Sequence, residues 1–140
     1  MYSFIVNPNA SGGRGERIWR RLEKQLKHLG VPYEAFVTEK TGDARRLACD
    51  LTEHQREPRI LIAVGGDGTV SEVLDGISFC GPVTLGYIPT GSGNDLARSL
   101  RLPKSPSRCL KKILNPKYHK LLDYGVLSYG DHLTHRRFMV

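Results

Sequence analysis

Residues 60–72, ILIAVGGDGTVSE, constrain the fold of this chain more than any other stretch. The first five of them are all apolar and rich in β-branched types, which is typical of a parallel strand buried on both faces. A glycine-rich turn follows, and apolar side chains then recur at helical spacing, namely Val70, Val73, Leu74 and Ile77. With Thr69 as the N-cap of that helix, the stretch predicts a buried strand, a tight turn and a helix, as in α/β domains.

The turn in this stretch has the residue types of an anion-binding site. Gly65, Gly66 and Gly68 allow the backbone to turn sharply and to approach a ligand without a Cβ in the way. The free N–H groups and the positive dipole end of the following helix face the same point. A single carboxylate there, Asp67, indicates that a metal ion or a proton transfer accompanies the anion. The alternative is an ordinary turn between strand and helix, in which Asp67 caps backbone N–H groups.

Three more segments repeat this order of strand, loop and helix. The predicted strands are residues 2–6, 31–37 and 83–88. Each strand is followed by a polar loop that contains glycine: NPNASGGRG, TEKTGDA and PTGSGNDLAR. The helices after these loops are predicted at residues 16–29, at roughly 44–54, and from Asn94 or Asp95 onward.

These repeats predict a three-layer, Rossmann-like α/β domain with a mostly parallel sheet. The carboxyl ends of parallel strands meet at one edge of a sheet, and ligands bind in the crevice outside them. We therefore expect the loops around Asn7, Thr38, Gly65 and Thr90 to line one cleft.

The remaining sequence fits one globular domain that spans residues 1–140. A short basic helix is predicted at residues 108–114, and a hairpin of strands 120–126 and 133–140 with its turn at 129–131. No apolar run approaches the length of about 20 residues that a membrane span requires, so a cytoplasmic protein is expected. Cys49, Cys80 and Cys109 lie far apart, which indicates reduced and mostly buried thiols.

The net charge of +7 favours anionic partners. From Arg98 onward there are ten Lys or Arg residues against two acids, Asp123 and Asp131. Nucleotide phosphates, anionic lipid headgroups and nucleic acid all meet that requirement. Aromatic residues make up 8% of the chain and do not alternate with the basic runs, which argues against nucleic acid.

The combination of GGDGT with PTGSGNDLAR about twenty residues later resembles the catalytic domain of the diacylglycerol kinase family, which is related to sphingosine, ceramide and NAD kinases. The resemblance covers nearly the whole chain, from FIVNPNASGG to the stretch around Asp123. It implies a kinase that uses ATP and Mg²⁺ to phosphorylate a lipid hydroxyl at a membrane surface, with peripheral membrane association. This chain would be the nucleotide-binding lobe. The sequence does not determine whether the protein forms a homodimer.

The family pattern also implies roles for single residues of this sequence. Asp67 and Arg98 would be catalytic, with Asp67 at the magnesium–phosphate centre and Arg98 facing phosphate. Asp123 would support the metal through water. The nucleotide-binding residues would be Asn7, Pro8, Ser11, Gly12, Thr38, Gly65, Gly66, Asp67, Gly68, Thr69, Glu72, Gly91, Ser92 and Asn94.

Two departures from the family pattern leave parts of the site unassigned. Ala10 lengthens the first loop, so either Gly13 or Arg14 takes the position of a basic residue found in relatives. The family also has a second, C-terminal β-rich domain that supplies the catalytic base. That domain is expected to be absent from this chain, so residues 1–140 alone should be inactive. An NAD kinase-like protein and a nucleotide-regulated binding module are the alternatives, and the lipid acceptor is not readable from these residues.

Overall fold

A computed structural model describes residues 1–115, 124–129 and 134–139 of the chain. The strands are β1 (Tyr2–Val6), β2 (Tyr33–Val37), β3 (Arg59–Gly65), β4 (Val83–Pro89), β5 (Tyr124–Tyr129) and β6 (Thr134–Met139). The helices are α1 (Ala10–Leu29), α2 (Asp43–Thr52), α3 (Asp67–Gly76), α4 (Asp95–Ser99) and α5 (Pro106–Leu114).

The first four strands form one parallel sheet in the order β2-β1-β3-β4. In its register Phe4 lies opposite Ala35 on one side and Ile62 on the other, and Ile62 lies opposite Gly86. The chain passes from β1 to its neighbour β2 and then crosses to β3 on the other side of β1. The sheet therefore has a topological switch point between β1 and β3, where open α/β sheets bind their ligands.

Helices cover both faces of this sheet, which confirms the three-layer prediction. On one face, Phe4 and Val6 pack with Trp19, Leu22 and Leu26 of α1 and with Leu110 of α5. On the other face, Ile5 and Ala63 pack with α2, α3 and α4, whose core residues are Ala44, Ala48, Val70, Val73 and Ala97. Residues that alternate along a strand point to opposite faces, so apolar strands without polar alternation serve both layers.

The N-cap of α3 differs from the sequence prediction. Helix α3 begins at Asp67 with Gly66 as its N-cap, so the expectation that Thr69 caps this helix is wrong. Thr69 is buried in the first turn instead, and its N–H donates to the Gly66 carbonyl at 3.1 Å. In α1, Ser11 to Gly13 have φ values of 51°, 67° and 94°, so the regular helix begins only after this left-handed loop, as the sequence predicts.

The C-terminal part agrees with the prediction as far as it is described. Ser105 caps α5, accepting a hydrogen bond from the Arg108 N–H at 3.4 Å. Strands β5 and β6 pair antiparallel as predicted, but Tyr129, which was predicted in the turn, lies in β5 opposite Thr134. Residues 120–123 of the predicted first strand and residues 130–131 of the predicted turn lie outside the described part. No described helix is long and apolar enough to cross a membrane.

The cysteines are free, as expected, but only partly buried. Cys109 is buried, Cys49 is half-buried and Cys80 is exposed. The prediction of mostly buried thiols is therefore wrong for Cys80, which follows α3 at the surface.

Candidate functional site

The ends of the four parallel strands are joined by backbone hydrogen bonds at one edge of the sheet. The Thr38 N–H donates to the Val6 carbonyl at 2.9 Å, and the Asn7 N–H donates to the Val64 carbonyl at 2.8 Å. The Thr90 N–H donates to the Gly65 carbonyl at 2.8 Å. These bonds continue the sheet by one residue after β1, β2 and β4 and hold the loops after the four strands together.

The loops enclose a cleft of about 670 Å³, within the size range of small-molecule sites. It is lined by Asn7, Asn9, Ala10, Ser11, Thr38, Glu39, Lys40, Thr41, Ala44, Gly66, Asp67, Gly68, Thr69, Glu72, Gly91, Ser92, Gly93 and Asn94. The lining is mostly polar side chains and glycine backbone, and its aliphatic side chains are two alanines. Such a surface suits a polar, charged ligand better than an acyl chain.

Most of the predicted nucleotide-binding residues line this cleft. The exceptions are Pro8, Gly12 and Gly65. Gly65 is buried against the Thr69 side chain, so it contributes to the packing of the turn and does not face the cleft. The Pro8 carbonyl accepts a hydrogen bond from the Glu16 N–H at 3.0 Å, which fixes the start of the regular part of α1. Gly12 is exposed in the left-handed loop.

Glycines allow two loops to meet backbone to backbone. A Cβ added to Gly91 would lie 2.7 Å from the Cα of Gly66, closer than real Cβ atoms approach another atom. At Gly68 the situation is different, since a Cβ there would meet no protein atom within 4 Å. Gly91 is thus required by the fold, whereas Gly68 leaves open space at the N-terminus of α3.

Asp67 links the GGDGT turn to the next loop. Its Oδ2 accepts the N–H of Asp95 at 2.8 Å, and its Oδ1 accepts the N–H of Leu96 at 3.3 Å. The carboxylate therefore caps α4, whereas Asn94 at the N-cap position makes no side-chain cap. The Tyr87 hydroxyl lies 3.5 Å from Oδ1. Burial, and secondarily the charge of Asp67, raises the pKa of Tyr87 above its usual value.

The loop after β2 is held in place by two carboxylates. Oδ2 of Asp43 accepts the N–H groups of Glu39 at 2.8 Å and Lys40 at 3.0 Å. These two backbone hydrogen bonds are the main reason why the pKa of Asp43 lies below its usual value. Oε1 of Glu72 on α3 accepts the N–H of Gly42 at 2.8 Å. The two carboxylates fix one wall of the cleft.

Side chains of the loop after β1 stabilise the opposite wall of the cleft by hydrogen bonds. The Asn7 amide donates to the Thr69 hydroxyl at 3.3 Å, and its Oδ1 accepts the Asn9 N–H at 3.0 Å. The Ser11 hydroxyl donates to the Thr90 carbonyl at 3.0 Å. Ser11 has a φ of 51°, and non-glycine residues held in this region cluster at functional sites.

Three predicted roles find no support in the described geometry. Arg98 does not line the cleft, because it is exposed and its guanidinium binds the Gly93 carbonyl at 2.6 Å and the Asp95 carboxylate. Neither Gly13 nor Arg14 lines the cleft. Asp123 lies outside the described residues.

The sequence analysis missed several lining residues, of which Lys40 is the most informative. It is the one basic side chain among the described lining residues. Asn9, Glu39, Thr41 and Gly93 were missed as well. They all lie within the loops that follow predicted strands, so treating each whole loop as part of the site would have found them.

The described residues contain no group of three or more His, Cys, Asp or Glu side chains that could hold a metal ion by themselves. Mg²⁺ bound together with substrate phosphates needs only one or two protein carboxylates. Asp67 fits that requirement, because a carboxylate has about four acceptor positions and two backbone N–H groups leave some of them available.

A parallel sheet with a switch point and a backbone-rich cleft at its carboxyl edge defines an open α/β domain with a candidate ligand site. The sequence profile of the diacylglycerol kinase catalytic domain matches residues 1–125, and the chain belongs to this family.

Known proteins with similar sequences include a putative lipid kinase from Bacillus subtilis, 35% identical over 102 residues that cover 72% of the chain and 33% of the relative, and diacylglycerol kinases. The chain is 38% identical to one from Staphylococcus epidermidis over 125 residues, which cover 89% of the chain and 39% of the relative. It is also 38% identical to one from Staphylococcus saprophyticus over 100 residues, 71% of the chain and 32% of the relative. The chain thus spans less than half the length of these relatives.

A crystal structure with the same fold is that of a diacylglycerol kinase from Bacillus anthracis. The two chains are 27% identical, with a TM-score of 0.74. The match covers 98% of this chain and 45% of the other. The parallel α/β architecture described above is therefore shared with a solved member of the family.

Proposed function

We propose that this chain is the nucleotide-binding lobe of a lipid kinase that transfers the γ-phosphoryl group of ATP to a lipid hydroxyl with the help of Mg²⁺. The observation that carries the proposal is the N-terminus of α3, which opens into the cleft between glycines without a side-chain cap. The first N–H groups of a helix have no partner within the helix and, with the helix dipole, attract phosphate.

Different residues of the cleft would bind and position different parts of the nucleotide. The backbone of Gly66 and Gly68 would receive phosphate oxygens, and the Lys40 ammonium would add a positive charge from the opposite wall. Thr38 and Ser92 offer hydroxyl groups at the two ends of the cleft. Phosphoryl transfer depends on positioning and charge neutralisation more than on covalent catalysis. Backbone N–H groups, an ammonium group and hydroxyl groups therefore suit this reaction.

Asp67 is the proposed magnesium ligand. A bound Mg²⁺ would neutralise charge on the phosphates during transfer. Asp67 would hold it from the protein side while its existing hydrogen bonds keep the Ser92 loop next to the phosphates. A carboxylate engaged with magnesium has a lowered pKa and makes a poor base, so we assign no proton transfer to Asp67.

The lipid acceptor is proposed to bind elsewhere. The described cleft offers only Ala10 and Ala44 as aliphatic side chains, which is too little apolar surface for an acyl chain. The relatives are named diacylglycerol kinases, and a diacylglycerol-like lipid is the proposed substrate class. In the family, a second β-rich domain supplies the base, and we propose the same arrangement for the whole protein.

The experiment that tests this function separates binding from turnover. Titration calorimetry of residues 1–140 should show Mg–ATP binding, while the same chain should phosphorylate no diacylglycerol in mixed micelles, because the base is missing. NAD phosphorylation serves as the control for the related NAD kinases. Absence of Mg–ATP binding would contradict the nucleotide-binding assignment, and rapid lipid phosphorylation by residues 1–140 would show that the base lies within this chain.

A further inference from the structure

The helices on the two faces of the sheet carry opposite net charge. Helix α1 has six Lys or Arg residues and two Glu, and α5 has three Lys or Arg and no acid. Together they hold a net charge of +7, as large as that of the whole chain. On the opposite face α2 and α4 are balanced, and α3 has three acids and no base. The positive charge of the helices is therefore concentrated on one layer.

Six cations of that layer form what we call the basic face: Arg17, Arg21, Lys24, Arg108, Lys111 and Lys112. All six are exposed, and none has a carboxylate within 4.0 Å among the described residues. The three on α1 are four and three residues apart, which places them along one side of the helix. On α5, Lys111 and Lys112 lie three and four residues after Arg108. Several other cations of the helices are paired, such as Arg20 with Glu16 and Arg45 with Asp75.

The two helices are fixed side by side. The Ser107 hydroxyl at the start of α5 donates to Oε1 of Gln25 on α1 at 3.1 Å. Leu22 and Leu26 of α1 share a core with Leu110 of α5. The six charges are thus held on rigid elements of one layer, and α1 starts in the loop that lines the cleft.

We propose that the basic face is a docking surface for the anionic phospholipid headgroups of a membrane. Unpaired cations on one layer, with acids concentrated on the other, are complementary to a surface of uniform negative charge. Nucleic acid is the less suitable occupant, because α1 and α5 contain a single aromatic residue, Trp19, and it is buried. The proposal rests on the proposed function, since a diacylglycerol-like acceptor stays in the bilayer.

The test compares two double variants of the chain that lower the net charge by the same amount. Arg21→Gln/Lys24→Gln changes the basic face, and Arg46→Gln/Arg56→Gln changes exposed cations outside it. Sedimentation measures binding to phosphatidylcholine vesicles with and without phosphatidylglycerol, free of diacylglycerol and nucleotide. The basic-face variant should bind anionic vesicles about twenty-five times more weakly than wild type, because each lost cation reduces binding about fivefold. The control variant should bind like wild type.

Three results would overturn the docking surface. These are equal binding of wild type to neutral and anionic vesicles, equal losses in both double variants, and a basic-face variant that loses binding to polyuridylate but not to vesicles. Raising the salt from about 0.05 to 0.5 M should weaken the wild-type interaction. Melting temperatures check that both variants fold, as expected for exposed Arg or Lys to Gln changes in helices.

A Mg–ATP titration of the same proteins separates this proposal from the function. Unchanged ATP affinity with weaker vesicle binding supports the docking surface. If wild type binds no Mg–ATP but the basic-face variant alone binds anionic vesicles more weakly, the kinase assignment is rejected and the docking surface is supported.

Discussion

Asp67 shows how one residue can serve the fold and a ligand together. Its carboxylate already accepts two N–H groups at the start of α4, so part of its negative charge is used to hold the Ser92 loop against the GGDGT turn. The turn interpretation from the sequence, in which Asp67 caps backbone, describes this contact, although the helix that it caps is α4. A bound Mg²⁺ would use the remaining acceptor positions.

The first prediction concerns Asp67→Asn. The amide keeps one acceptor oxygen, so one of the two hydrogen bonds to α4 should be lost, with about 0.5–1.5 kcal/mol of the free energy of unfolding. Loss of the negative charge should weaken Mg–ATP binding, and it should slow transfer by the complete enzyme roughly a hundredfold or more. Denaturant unfolding and Mg–ATP titration measure the two effects.

Tyr87→Phe is the matched control for that change. It removes a hydroxyl that lies 3.5 Å from Asp67 and leaves the carboxylate in place, so nucleotide binding should be nearly unchanged. Wild-type Mg–ATP affinity in Asp67→Asn would return this residue to a purely structural role.

The second prediction separates ligand contact from folding at two glycines. Gly68→Ala places a methyl group in open space on a helix, so the protein should be as stable as wild type or more stable by about 0.4–1 kcal/mol. The same methyl group should weaken ATP binding at least tenfold if phosphate approaches this backbone. Gly91→Ala should instead lower the melting temperature, because its Cβ would collide with Gly66. Unchanged ATP affinity in Gly68→Ala would show that phosphate binds elsewhere.

At the scale of secondary-structure elements, the cleft depends on how the loop after β2 is anchored. Asp43 at the start of α2 binds two N–H groups of this loop, and Glu72 of α3 binds a third. The edge strand β2 has a neighbour on one side only in the described sheet, so these loop contacts add support that the sheet does not provide. Helices α2 and α3 thereby set the position of Thr38 and Lys40.

The third prediction uses the pKa of Asp43, which the two backbone N–H groups lower in the folded state. A lowered pKa means that the ionised group stabilises the fold above its unfolded pKa of about 3.9, and that this contribution is lost as the pH falls through the folded pKa. The stability difference between wild type and Asp43→Asn should therefore be largest near neutral pH and shrink below about pH 4. Unfolding curves across this range measure it, and a difference independent of pH would contradict the assignment.

At the scale of the whole molecule, the charge of the helices is distributed by layer. The alternation of helices between the two faces places α1 and α5 together although some 75 residues separate them in sequence. The sequence shows excess positive charge after Arg98, of which α5 carries Arg108, Lys111 and Lys112, and the fold places the basic helix α1 beside α5 on the same face. In the proposed docking, the basic face would meet the anionic surface, and α3 with its three acids would lie on the other side of the sheet.

The sequence by itself determined the four parallel strands, the loops after them and their common edge. Unbroken apolar runs predict buried strands, glycine clusters predict turns, and parallel strands bring their carboxyl ends together. Only the tertiary structure decided that Asp67 caps α4, that Arg98 turns to Gly93 while Lys40 lines the cleft, and which helices share a face. These features depend on which loops become neighbours and which way each side chain packs, and such long-range contacts are not encoded in local spacing.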